Sequence, residues 1–125
     1  MGKFIIKNVP TGVKFDLKAR NGEVIATSEV YSTLDACKNG IESVRENTRI
    51  AGIEDQTIEN FGTLKCPKFE VYEDKAGEYR FRLLAKNGQN IAIGESYTTK
   101  QNCLGGIESI KLNAPGAPIE QQIDL

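Results

Sequence analysis

The chain has 125 residues, enough to bury one modest core or two small ones that share a sheet, but not two large independent domains. Its 16 basic and 17 acidic residues leave a formal charge of −1, which excludes a whole-molecule field drawing the protein to nucleic acid, an anionic membrane or an acidic substrate. There is no histidine, so serine–histidine and cysteine–histidine nucleophiles as usually built are excluded, along with the commonest zinc ligand.

The opening MGKFIIK has no long apolar run with a small-residue cleavage site, and Ile6 stands where a myristoylation signal needs Ser or Thr. No export, anchor or membrane-spanning signal is predicted, and the cytoplasm is the expected compartment. Phe4 and Ile6 alternate with more polar neighbours and predict a first strand. A second strand over residues 14–20, KFDLKAR, runs into Asn21-Gly22, a pair that predicts a two-residue type I′ hairpin into a third strand. That turn places Phe15, Leu17 and Ala19 on one face with Val24, Ala26 and Ser28. Next comes STLDACKNGIESVREN, with Ser32 as the expected N-cap and Asp35 three residues on, and with Cys37, Ile41 and Val44 forming an apolar helical stripe. Gly40 sits on that stripe at a cost of about 1 kcal/mol against alanine, which points to close packing of the helix on the Ala26 strand.

The same text then repeats. Residues 13–58 realign with 79–124 at an offset of roughly 66, with about 20 of 46 positions identical. The second copy opens on Phe69 and Val71, continues through RFRLLAK to Asn87-Gly88, and places Phe81, Leu83 and Ala85 with Asn90, Ala92 and Gly94. Its helix is expected to start at Thr98, with Gln101 completing a capping box, and to carry Cys103, Gly106, Ile107 and Ile110. The match continues past the helices: Ala51, Ile53, Glu54 and Gln56 recur as Ala117, Ile119, Glu120 and Gln122, predicting a short extra strand in each copy. The division is therefore 1–56 for the first repeat, 57–66 for a linker and 67–125 for the second repeat. The expected fold is α+β: two βββα(β) units sharing one compact domain, a single antiparallel sheet with both helices on one face, and a pseudo-twofold axis.

The runs NGEVIATSEVYSTLDACKNGIESV and NGQNIAIGESYTTKQNCLGGIESI, with KFEVYEDKAGEYRFRLLAKNG ahead of the second, resemble the YegP-like family of small bacterial tandem-repeat domains of unknown function. The resemblance covers nearly all of the chain except the linker. It implies βββαβ units in one sheet whose C-terminal strands are swapped, so that residues 53–56 and 119–122 each complete the other copy. It supplies no activity to transfer. The first copy departs from the pattern where KNVPTG-V, with Pro10, replaces YEDKAGEY, and a bent or frayed first hairpin is expected there.

Neither catalytic residues nor a metal or cofactor site are predicted. Cys37, Cys66 and Cys103 match no CxxC spacing; the first and last read as core residues, and Cys66 as a surface thiol. The recurring glutamates Glu29/Glu95, Glu42/Glu108 and Glu54/Glu120 show no spacing that makes a dyad. The glycines form neither GxGxxG nor a P-loop, and Tyr31 and Tyr97 read as rim-of-core tyrosines. The outer sheet face is the expected binding surface, carrying Tyr72, Arg80, Arg82, Lys86, Ile91 and Ile93 from one copy and Ile5, Lys14, Lys18, Arg20 and Ile25 from the other, interrupted by Asp16 and Glu70. The expectation is a non-enzymatic binding module, with a protein partner or a second copy on this face and no membrane. A nucleic-acid-binding protein using the basic residues is the alternative, weakened by Tyr72 being the only stacking group.

Overall fold

The computed structural model describes residues 2–122; the final residues of the second repeat, 123–125, lie outside them, and with them the end of the internal match. The first unit runs β1 (Lys3–Val9), β2 (Gly12–Lys18), β3 (Val24–Thr27), α1 (Leu34–Thr48) and β4 (Gly52–Asp55). The second runs β5 (Lys68–Glu73), β6 (Tyr79–Leu84), β7 (Asn90–Ile93), α2 (Lys100–Asn113) and β8 (Ile119–Gln122). All eight strands form one sheet, in the order β4-β5-β6-β7-β3-β2-β1-β8.

The order shows the exchange directly. β4 leaves the first unit to pair with β5 of the second, and β8 leaves the second to pair with β1 of the first. Both outer pairings are parallel, so the sheet is mixed rather than wholly antiparallel. Alternation reports which face a residue occupies and carries no information on strand direction. The exchanged strand is anchored from the other unit: the Arg45 guanidinium on α1 donates to the Ala117 carbonyl just before β8 and lies 5.5 Å from the Phe4 ring centroid.

Phe4, Ile6, Phe15 and Leu17 face the helices with Phe69, Val71, Phe81 and Leu83, against Cys37, Ile41, Val44, Cys103, Ile107 and Ile110, in one buried cluster. Each helix touches strands of both units, α1 on β2 and β7 and α2 on β6 and β3. Burying these side chains is worth roughly 1.5–3 kcal/mol apiece, and neither unit has them all.

Five local expectations need correction. The Asn-Gly hairpins are three-residue loops, not type I′ turns: only Gly22 (φ 88°) and Gly88 (φ 84°) are left-handed, while Asn21 and Asn87 are not. Each asparagine side chain accepts a hydrogen bond from the residue two ahead, at 3.0 Å in both copies, and this keeps its own backbone right-handed. A bulge follows in each hairpin, Leu17 pairing with Ala26 but Lys18 with Val24, and Leu83 with Ala92 but Leu84 with Asn90. The extra residues, Ile25 and Ile91, swing into the core at 7% and 5% exposure instead of lying on the outer face.

The helices are capped by Thr33 and Thr99, one residue later than expected, each hydroxyl accepting from an amide three residues on at 3.1 Å. Tyr31 and Tyr97 still bridge to Val13 and Tyr79, so the chain stays extended past Ser32 and Thr98. The first hairpin is neither bent nor frayed: β1 and β2 pair from Lys3↔Lys18 to Val9↔Gly12 around a two-residue turn. The shortened loop suits Pro10, whose fixed φ fits the first central position of a tight turn. Finally, what Gly40 and Gly106 make room for is not the alanine strand. A methyl at either would overlap the hydroxyl of Tyr31 or Tyr97, whose rings stack on Phe15 and Phe81 at 6.3 Å.

Candidate binding face

Because both helices cover one side of the sheet, its other side is free of helices, and the register lays out that side in rows. One row crosses every strand: Glu54, Glu70, Arg82, Ile93, Thr27, Asp16, Ile5, Glu120. The pseudo-twofold axis falls between Ile93 and Thr27, so Arg82 and Asp16 occupy equivalent places with opposite charge. The two halves of the face therefore differ in chemistry although they share a fold.

On the second half the charges neutralise one another. Lys68 Nζ lies 2.7 Å from Glu54 and 3.2 Å from Glu70, and Arg82 Nε lies 2.6 Å from Glu70. The Arg82 guanidinium also covers the Tyr72 ring at 4.7 Å, and Arg80 is 3.8 Å from Asp74. The 57–66 segment joins this network where the Leu64 amide donates to Glu54 at 2.7 Å. The bond from Lys68, with Gln56 adding a second, holds the Glu54 carboxyl down at about 2 against the cost of burial, and the same bond raises Lys68.

On the first half, lysines oppose lysines. Lys3 is directly across from Lys18 and Lys7 directly across from Lys14, an arrangement that destabilises a strand pair unless something offsets the repulsion. Asp16 lies between the pairs, 2.6 Å from Lys7 and 3.8 Å from Lys14, and accepts a 2.7 Å bond from the Thr27 hydroxyl. Burial pushes the Asp16 carboxyl up, but Lys7, Thr27 and Lys14 outweigh it and the net displacement is downward. Lys3 reaches Glu120 at 3.3 Å. Three of the four lysines thus share two carboxylates on this half of the face, and among the described residues Lys18 reaches neither.

Of the residues expected on the face, Arg80, Arg82 and Tyr72 are together on the second half, and Lys14 and Lys18 are on the first, with β7 and β3 between the groups. Lys86 is not on the face. It belongs to the β6–β7 hairpin and lines a cavity with Glu46 and Asn47 on the helix side. Lys3 and Lys7 escaped the sequence reading, although their alternation with Phe4 and Ile6 was the available signal; only the register reveals their partners. Glu54 and Glu120 lie on the two opposite edge strands. Cys37 and Cys103 are fully buried, with thiols pushed up to about 11 by burial, and Cys66 is half-buried.

A family model described as a domain of unknown function, DUF1508, matches residues 12–55 and 74–121. The chain belongs to this family. Members related over the whole length include UPF0339 proteins of Pseudomonas aeruginosa, 34% identical with 96% of each chain covered, and of Bordetella pertussis, 36% identical over 97% of this chain and 96% of that one. A UPF0339 protein of Treponema denticola is 56% identical over 52 residues, which is 42% of this chain but 90% of that protein. The family thus includes single-unit as well as tandem members. Among solved structures, the E. coli protein of unknown function yegP superposes with a TM-score of 0.79 at 29% identity, over 99% of this chain and 95% of that one. UPF0339 protein SO3888 of Shewanella oneidensis gives 0.80 at 29% identity, over 98% and 92%. These matches bear out the YegP-like fold and carry no statement of function. Among the described residues no helix is long and apolar enough to cross a membrane.

Proposed function

We propose that the protein is a non-enzymatic binding module that engages a partner through the helix-free face of its sheet. The observation that carries this reading is the pair of opposed lysine pairs on the first half. Like charges directly across from one another destabilise a strand pair, and the equivalent places on the second half hold Lys68 opposite Leu84 and Tyr72 opposite Arg80. The relaxed symmetry singles out one half for a ligand with negative charge.

Two partners fit. An acidic protein surface, including that of a second copy, is the first, since the face has no free stacking group: Tyr72 lies under Arg82. Nucleic acid held through its phosphates is the second, and the lysine pairs favour it. The two separate in solution. Light scattering across a concentration series reports self-association, and fluorescence anisotropy of labelled single- and double-stranded DNA and RNA at about 50 and 200 mM salt reports phosphate contacts, which weaken steeply over that range. For nucleic acid, a Lys7→Gln/Lys14→Gln variant loses most of the low-salt binding and lowers the salt slope by about two. If neither nucleic acid binding nor self-association responds to the lysine substitutions, the face is a solvated surface and the reading fails.

A further inference from the structure

Three cavities adjoin one another, the first beyond the start of α1 and the other two along the side of α1 that faces the second unit's β6–β7 hairpin. The first, about 320 Å³, opens where the chain after β3 parts from β7, since only Thr27 and Ile93 pair across that junction. The second, about 270 Å³, shares Tyr31, Gln89 and Ile91 with the first. The third, about 280 Å³, shares Ser43 and Asn87 with the second and ends at Ile50. With common walls they make one groove, which from Ala36 to Asn47 runs about 16 Å along the helix alone. That length spans about five residues of extended chain.

Between its ends the groove is uncharged, with amide and hydroxyl side chains set among apolar walls that include Ala36, Ala85 and Ile91. Asn39, Ser43 and Asn47 line it from the helix, and Asn87, Gln89 and Asn90 from the hairpin. Charged groups stand only at the ends, Glu29 at one and Glu46 with Lys86 at the other. The side-chain oxygen of Asn90 is buried and has no hydrogen-bond partner, a cost that a ligand donor removes. A carboxamide presents a donor and an acceptor side by side, matching the C=O and N–H of a peptide group.

The second copy provides an internal control. Where the α1 groove has Asn39, Gln89 and Asn90, the matching positions beside α2 are Gly105, Glu23 and Val24. The Ser-Asn pair persists in both, Asn47 donating to the Ser43 carbonyl at 2.7 Å and Asn113 to that of Ser109 at 2.8 Å. The fold therefore needs the serine and asparagine but not the additional amides, which one groove has and its twin lacks.

We infer that the α1 groove takes an extended, uncharged segment of a partner polypeptide and holds it through its main chain. This surface is separate from the lysine face. A carbohydrate suits it less well, because Tyr31, the groove's aromatic residue, is stacked on Phe15 with its hydroxyl against Gly40. Nucleic acid finds Lys86 as the lone cation there.

The test selects binders from a displayed library of random dodecapeptides on the full chain, then titrates the enriched peptide into ¹⁵N-labelled protein. The expected result is an uncharged peptide that shifts the side-chain amide signals of Asn39, Gln89 and Asn90. Its affinity falls about tenfold or more in an Asn39→Ala/Gln89→Ala variant and is unchanged by Leu112→Ala beside α2. Spectra of both variants away from the groove report that the fold is intact. Failure of the library to enrich any binder, or a peptide whose shifts fall on the lysine face, overturns the groove assignment; the second result leaves the sheet-face reading standing. A maltohexaose titration that shifts the groove amides when no peptide does assigns the groove to carbohydrate instead.

Discussion

At the scale of single residues, the duplicated Gly–Tyr pair shows how a helical glycine becomes indispensable. Gly40 lies under the Tyr31 hydroxyl, and the ring cannot retreat because Phe15 is stacked behind it. A Gly40→Ala substitution is an overpacking change and is expected to cost about 1–3 kcal/mol. Gly105, one position earlier in the matching helix turn of α2, has nothing within 4 Å of an added methyl. There alanine removes backbone freedom from the unfolded chain and is expected to stabilise by about 0.5–1 kcal/mol. Thermal melts of the two variants should move in opposite directions; a shared direction refutes the steric account of Gly40. The sequence marked Gly40 as unusual through its recurrence, but could not name the tyrosine, which comes close only through the path of the chain between β3 and the helix.

At the scale of elements, the most consequential contact is Glu54 on β4, which ties together that exchanged strand, the 57–66 segment through Leu64, and β5 through Lys68. Its carboxyl is held at about 2, below the ordinary 4.5. Stability from a depressed acid is fully present above its unfolded value and is lost as pH falls from about 4.5 towards 2. Lys68, raised above 10.5, contributes below that pH and loses its contribution as pH rises through its elevated value. Glu54→Gln should lower the melting temperature at neutral pH and make the decline between pH 4.5 and 2 shallower than in the parent. Parallel melting curves for the two proteins across that range refute the assignment.

Much at this scale was legible in the sequence: strand faces, both helices, the core stripe and a short strand after each helix followed from alternation, helical spacing and internal repetition, while the exchange of those short strands was implied by the family resemblance alone. The turn type, the bulges and the strand directions were not, because each depends on hydrogen bonds that alternation does not encode. The bulges matter most, since they move Ile25 and Ile91 from one face of the sheet to the other. On the candidate site, Arg80, Arg82, Tyr72, Lys14 and Lys18 were found on the expected face with Asp16 and Glu70 among them, but which cations those carboxylates neutralise, and the pairing of Arg80 with Asp74, became visible only with the register.

At the scale of the whole molecule, each unit supplies one strand that it does not use itself. In residues 67–125 alone, β5 lacks its outer neighbour β4 and β8 has no β1 to join. Two such fragments satisfy both needs by exchanging β8, with each copy's strand taking the place that β4 holds beside β5. The fragment is therefore expected to elute and scatter light as a dimer of twice its mass, with the native circular dichroism. A stable folded monomer refutes the dependence.

The exchange also governs the order in which the molecule can assemble during synthesis. Phe4 takes Ile119 as its partner, so β1 waits for β8 through the translation of about 115 intervening residues at about 5–20 residues per second. Throughout that interval β1 presents an unpaired edge bearing Phe4, Ile5 and Ile6, an exposed template for pairing with another chain. Lys3 and Lys7 on that strand, with Lys18 and Lys14 across from them, repel an identical strand approaching it, so the charge pattern that marks the mature surface also guards the nascent one.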